Sequence, residues 1–231
     1  MLAEREILIS ILQATRESNR ARIKDIIRES RVPRDLVSRV LTGFQNKGLI
    51  KLGYDTLLIT SELRIKMAVR AIELGAAIER VSRFLKWDEF EKLSTLVFEK
   101  NGFRVKKNFR FSWMNKRWEV DVLGMRDPII ISADCKHWHK GWSGVASIRA
   151  AEKQVERTKA LAEASISKTL RSMIGINGWK HAYFIPVILS LAPSRCKFYE
   201  KTPIVPILQL KDFLQNIIVY IDEVKAFHMV F

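Results

Sequence analysis

The chain is 231 residues long and 48% hydrophobic, enough for one large core or two modest ones, which excludes disorder as its main state. Forty Lys and Arg against 25 Asp and Glu leave a formal charge of +15, a balance that attracts polyanions, nucleic acid first among them. Two cysteines, Cys135 and Cys196, are too few for a disulfide framework or a four-thiolate zinc site.

Residues 1–14 carry Glu4, Arg5 and Glu6 where a signal peptide would be apolar, and no later run is long enough to span a bilayer. The expected location is the cytoplasm. A basic surface that only keeps the protein soluble stays open beside nucleic-acid binding.

Ile7, Leu8, Ile11 and Leu12 recur at helical spacing, as do Ile23, Ile26 and Ile27, and then Leu36, Val37, Val40, Leu41 and Phe44. Pro33 suits the first turn of the third helix, and Gly48 suits the left-handed position after it. Strands over 49–52 and 57–59 flank the turn signal Gly53, Tyr54 and Asp55. Helix, helix, helix, hairpin is the order of a winged helix-turn-helix. The segment from Leu57 to Gly75 also resembles the end of winged-helix regulators, with Thr60 as the cap of a long helix.

The third helix presents Arg34, Ser38, Arg39, Thr42, Gln45 and Asn46, types that reach phosphates or base edges from the major groove. Arg39 and Gln45 are the candidate base readers. A protein-protein role for such a module stays open. The expected organisation is a winged helix over 1–61, a helical connector over 62–85 and a second domain over 86–231.

The second domain reads as a helix over 88–101 and strands over 103–105, 109–113, 117–123 and 129–136. A helix over 145–164, strands over 183–189 and 204–207 and a closing helix follow. Helices flanking a central mixed sheet make this half α/β.

Asp134 and Lys136 are two apart on one strand, so their side chains leave the same face while Cys135 points to the other. Asp121 ends a neighbouring strand, and a turn containing Asp127 and Pro128 returns the chain alongside it. Two converging carboxylates with water and a phosphate oxygen suit Mg²⁺, or Mn²⁺ in its place, while Lys136 orients a water and offsets developing negative charge. The alternative for Asp134 and Lys136 is a solvated strand-end pair.

The stretches "NGFRV", "EVDV" and "DCK" in this order resemble the PD-(D/E)xK restriction-endonuclease superfamily, and within it Mrr-like enzymes and archaeal Holliday-junction resolvases. The resemblance covers about 87–216. It implies a restriction-endonuclease-like fold, metal-dependent hydrolysis of phosphodiester bonds in DNA, and a homodimer where both strands of a duplex are cut. It gives Asp121 and Asp134 as metal ligands, Lys136 as the catalytic lysine, Glu91 as a third acid that supports the metal, often through water, and Gln154 as an accessory residue. The family's "PD" stands here as "VD", at Val120 and Asp121.

His137, Trp138, His139, Lys140 and Trp142 follow the catalytic strand, where aromatic and basic side chains contact a distorted nucleic-acid strand or seal the sheet edge. On the next helix Arg149, Lys153 and Arg157 recur every four residues, either as a phosphate-contacting stripe or as solvated surface. No phosphate-binding glycine loop and no nucleophile elbow occurs. Two rival functions stay open. One is a DNA-binding regulator or assembly protein with an inactive nuclease-like half, and the other is a structure-specific nuclease for junctions or flaps.

Overall fold

Helix α1 (Leu2–Ala14) buries Ile7, Leu8, Ile11 and Leu12, the residues whose spacing marks it in the sequence. The computed structural model describes residues 2–136, 144–191, 196–207 and 209–231, which fall into two compact units, Met1–Phe90 and Glu91–Phe231. Among the described residues no helix is long and apolar enough to cross a membrane.

In the first unit α2 (Ile23–Ser30) and α3 (Arg34–Asn46) turn Ile26, Val37, Leu41 and Phe44 inward. Pro33 stands immediately before α3, and Gly48 adopts φ +68° after it, a conformation that costs glycine little. The hairpin of β2 (Lys51–Leu52) and β3 (Thr56–Leu58) is as expected.

A further strand, β1 (Arg20–Arg22), escapes a hydropathy reading because Ala21 is its one apolar residue. It pairs with β3 through Arg20↔Leu58, Ala21↔Leu57 and Arg22↔Thr56, giving the order β1-β3-β2.

Thr60 caps α4 (Ser61–Glu73), its hydroxyl oxygen accepting the Leu63 N–H at 3.3 Å. The helical connector expected over 62–85 comprises two helices: α4 ends before Gly75, where φ is +84°, and α5 (Ile78–Ser82) follows.

α4 packs on α1, and Arg64 in its first turn is fully buried. Its guanidinium donates to Glu89 Oε1 at 2.6 Å, to the Leu12 carbonyl at 2.9 Å, to the Phe84 carbonyl at 2.5 Å and to the Thr15 hydroxyl. Glu89 Oε2 also accepts the Lys86 N–H at 2.9 Å. The buried charges are therefore paired and hydrogen-bonded, the condition under which such a pair is tolerated.

Helix α6 (Trp87–Lys100) gives its first turn, with buried Glu89 and Phe90, to the first unit and opens the second. The strands are β4 (Arg104–Trp113), β5 (Lys116–Arg126), β6 (Ile129–Lys136), β7 (His181–Ser190), β8 (Phe198–Tyr199), β9 (Thr202–Pro206) and β10 (Phe227–Val230). Among the described residues they form one mixed sheet in the order β4-β5-β6-β7-β9-β8, with β10 paired to β7. β4, β5 and β6 run antiparallel in turn. Helices α7 (Gly144–Ala164) and α8 (Lys168–Ile174) carry the chain over to β7, which lies parallel to β6.

The expected pair of strands over 103–105 and 109–113 is a single strand, β4. β8, β10 and α8 are too short or too polar to stand out in the sequence. Helix α9 (Leu210–Asn216) lies between β9 and β10.

The helices cover opposite faces of this sheet. Gln154 and Arg157 of α7 bond to Ser132 and Asp134, whereas Ser94 of α6 acts on Cys135, which alternation turns the other way. Gly124 lets α6 approach on that face: a Cβ there would meet ring atoms of Phe98 at 2.6 and 2.7 Å. β6 and β7, covered on both sides, read as nearly unbroken apolar runs for that reason.

Candidate functional site

β5 and β6 pair only as far as Val122↔Ala133. One step further stand Asp121 and Asp134. Beyond them β5 stays with β4 out to Trp113↔Lys116, and β6 stays with β7 out to Lys136↔Ser190. The sheet forks at these two carboxylates.

The other side of Asp121 is interrupted as well. The β4–β5 ladder runs from Lys107↔Val122 to Phe109↔Val120, and Asn108, the residue between, has φ +48°. Val120 and Leu123 both lie in the core cluster that includes Ala160, Leu161 and Ala164 of α7, although strict alternation would send residues three apart to opposite faces. The alternation slips at Asp121 and Val122, which leaves the Asp121 side chain at a gap in the ladder.

Asp121 Oδ2 fills that gap by accepting the Cys135 N–H at 2.8 Å, a donor that the diverging strand no longer satisfies. Burial pushes the Asp121 carboxyl above its ordinary value and the Cys135 N–H draws it back. The neighbouring charge of Asp134 raises it further, and those of Arg157 and Lys136 lower it.

Asp134 is 4% exposed. Its Oδ1 accepts from Arg157 Nη1 at 2.9 Å, and its Oδ2 lies 2.7 Å from Lys136 Nζ. That second contact is a close ion pair, and the buried Oδ2 has no other polar partner among the described residues. Arg157 Nη1 also donates to Gln154 Oε1 at 2.5 Å, and Gln154 Nε2 donates to the Ser132 carbonyl at 2.6 Å and hydroxyl at 3.1 Å. A chain of polar groups thus runs from Ser132 through Gln154 and Arg157 to Asp134 and Lys136.

Glu91, half-buried on α6, makes itself felt at Cys135. Burial pushes that thiol well above its usual value, and Asp121, Glu91 and Asp134 add to the rise while a Ser94 hydrogen bond opposes it. Among the described residues no group of three or more His, Cys, Asp or Glu side chains is arranged to hold a metal ion. The structure gathers Asp121, Asp134, Lys136, Gln154 and Arg157, and it brings the charge of Glu91 within reach of Cys135.

Two carboxylates are a sufficient protein share for Mg²⁺, which keeps several waters and takes oxygens from phosphate. The buried Asp134 Oδ2, whose partner is the Lys136 ammonium, already faces a cation and fits such an ion.

The remaining sequence candidates are dispersed. Arg149 and Lys153 are exposed on α7. Lys140, with His137, Trp138, His139 and Trp142, lies outside the described residues. Arg34, Ser38 and Arg39 are exposed on α3, as are Thr42 and Gln45. Thr42 donates its hydroxyl to the Ser38 carbonyl at 2.9 Å, and Gln45 Oε1 accepts the Leu52 N–H at 3.3 Å, so Gln45 also ties α3 to β2.

Sequence reasoning missed the inward role of Arg157, which its spacing with Arg149 and Lys153 assigned to an outer stripe. The available signal was the buried ridge of Gln154, Thr158 and Leu161 on α7, which Arg157 flanks. A cavity of about 550 Å³ opens elsewhere, lined by Phe198, Phe213 and Tyr220 with Asp212 and Glu223, and shares no residue with this cluster.

No protein-family model matches the chain. An uncharacterized protein from Archaeoglobus fulgidus is 26% identical over 139 residues, which is 60% of this chain and 97% of that protein. A crystal structure of a protein of unknown function matches with a TM-score of 0.30 and 17% identity over 44% of this chain and 46% of the other. A crystal structure of a protein from Vibrio cholerae matches with a TM-score of 0.41 and 13% identity over 96% of this chain and 55% of the other. The chain spans about half the length of both solved chains.

Proposed function

We propose that the protein is a divalent-metal-dependent DNA endonuclease of the PD-(D/E)xK kind, guided to its substrate by an N-terminal winged helix. The observation that carries the reading is the juxtaposition of Asp121 and Asp134 at the sheet fork, with Lys136 against the buried Asp134 Oδ2.

Asp121 and Asp134 are the residues that would hold Mg²⁺ or Mn²⁺, with Glu91 in a supporting role through water. A bound ion of this type stabilises charge on the scissile phosphate and lowers the pKa of its water. Lys136 donates to the attacking water and offsets negative charge as it develops on the phosphate. Gln154 braces the strand that carries Asp134 through its two bonds to Ser132.

The order α1-β1-α2-α3-β2-β3 with sheet order β1-β3-β2 supports the winged-helix reading. In that reading Arg34, Ser38, Arg39, Thr42 and Gln45 face DNA from α3, while Arg149 and Lys153 on α7, with Lys140, contact phosphates near the cut. Cutting both strands with one site per chain favours a homodimer. Cytoplasmic conditions keep Cys135 and Cys196 reduced.

One observation favours a second reading, a DNA-binding regulator whose nuclease-like half does not cut: Asp134 is already neutralised by two cations. The experiment that separates the two incubates wild type, Asp121→Ala and Lys136→Ala with plasmid, single-stranded and branched DNA in Mg²⁺, Mn²⁺ or EDTA. Cutting by the wild type that is lost in EDTA and in both variants is the expected result. Binding without cutting in every condition supports the regulator.

A further inference from the structure

We infer that Arg157 is a displaceable counter-charge. In the cation-free protein its guanidinium neutralises Asp134 from the Oδ1 side, and it moves to a phosphate oxygen when ion and substrate bind. The inference rests on the proposed nuclease reading and names how its site is kept closed to the ion alone.

Charge balance among the four residues at the fork favours such a move. Asp121 and Asp134 bring two negative charges, and Lys136 and Arg157 bring two positive ones, so the cluster is neutral without a metal. Arg157 and Asp134 side chains are 12% and 5% exposed, so solvent screens their attraction weakly. A divalent ion added to this set leaves it at +2, unless Arg157 withdraws or a phosphodiester arrives. Ion and nucleic acid therefore bind with positive coupling, and the coupling is reciprocal.

Arg157 can make this move without leaving the site. One bond ties it to Asp134 Oδ1, while another ties it to Gln154, itself anchored on Ser132. Release from Asp134 leaves the second tether in place, and a guanidinium has donors in a fork that matches phosphate oxygens. Lys136 cannot take this part, since the reading assigns it to the attacking water. Arg157 is thus a positioning residue in the cation-free protein and a phosphate contact in the complex.

The test is Mn²⁺ affinity without DNA, read from the electron paramagnetic resonance of the free ion, for the full-length wild type, Arg157→Gln and Arg157→Lys. Arg157→Gln removes the charge and is expected to bind Mn²⁺ about tenfold more tightly, a change of about one unit in log affinity for one like charge removed. Arg157→Lys keeps the charge and is expected to stay within about threefold of wild type. The companion reading is duplex affinity by fluorescence anisotropy in EDTA and in Ca²⁺: the gain from Ca²⁺ in wild type is expected to shrink in Arg157→Gln.

Equal Mn²⁺ affinity in wild type and Arg157→Gln overturns the inference and leaves the nuclease reading standing. Failure of all three proteins to bind Mn²⁺ overturns both. Loss of folding in both variants, seen by circular dichroism, assigns Arg157 to the fold and also overturns the inference.

Discussion

The carboxylate of Asp121 bridges two diverging strands by accepting the backbone N–H of Cys135 at 2.8 Å. One side chain therefore serves the fold and the proposed chemistry at once, and the two roles respond oppositely to substitution. Asparagine retains an oxygen that can accept this N–H but carries no charge. Burial raises the Asp121 carboxyl above its ordinary value of 3.8, so its stabilising share is present below that value and is lost as pH rises through the raised one. Asp121→Asn is expected to melt higher than wild type at neutral pH without metal, with the difference closing as the pH is lowered. Melting curves across pH check this, and a difference that widens in acid contradicts it.

In the proposed nuclease the same shift would set the acid limb of cutting. A carboxylate must be deprotonated to hold an ion, so cutting at low Mg²⁺ is expected to fall off at a pH above the ordinary aspartate value. Higher Mg²⁺ should move the limb to lower pH, because ion and proton compete for Asp121. A pH-rate profile at two Mg²⁺ concentrations measures both.

Gly124 and Phe98 define how closely α6 lies on the sheet. Gly124→Ala places a methyl carbon 2.6 Å from the Phe98 ring, so the helix or the ring must move. The expected cost is about 1–3 kcal/mol, the range for overpacking a filled core. Urea denaturation measures it, and Gly124→Ala with Phe98→Leu should recover part of the loss.

Most element positions were legible in the sequence because their apolar periods were unambiguous: α1, α3, α6 and α7, and the run of β6 from Ile129 to Lys136, all lie where hydropathy places them. β1 and β10 were not, since Arg-Ala-Arg and Phe-His-Met-Val owe their pairing to partners distant in the chain. The proximity of Asp121, Asp134 and Lys136 was legible, from the two-residue spacing on β6 and the one turn that returns β6 alongside β5. Arg157 was hidden because periodicity reports which residues share a helix face, not which long side chain folds back over the edge of that face. The slip opposite Asn108 was hidden too, because a left-handed residue inside a strand leaves no hydropathic trace.

Arg64 shows the same limit in the first unit. Its position in α4 suggests a surface residue, yet it is fully buried with Glu89 as its partner. Arg64→Ala leaves a buried carboxylate without its counter-charge and is expected to cost about 3–5 kcal/mol. Adding Glu89→Gln should recover stability, and a double-mutant cycle by chemical denaturation measures the coupling. Independent losses in the two single variants that simply add would contradict the pairing.

Exposed Arg34 and Arg39 on α3 carry the proposed docking to DNA. Each Arg→Ala change should weaken duplex binding and lower the slope of log affinity against log salt by about 0.9 for every phosphate left without its arginine. A change at Arg39 that depends on DNA sequence marks a base reader, and a uniform change marks a phosphate contact. Anisotropy titrations at several salt concentrations supply both numbers.

The central claim is tested most directly by where a divalent ion binds. Crystals grown or soaked with Mn²⁺ give an anomalous difference map that needs no assay of cutting. The expected result is a peak bonded to carboxylate oxygens of both Asp121 and Asp134, absent in crystals of Asp121→Asn. A map in which Mn²⁺ lies elsewhere, or contacts neither aspartate at saturating concentration, would contradict the account.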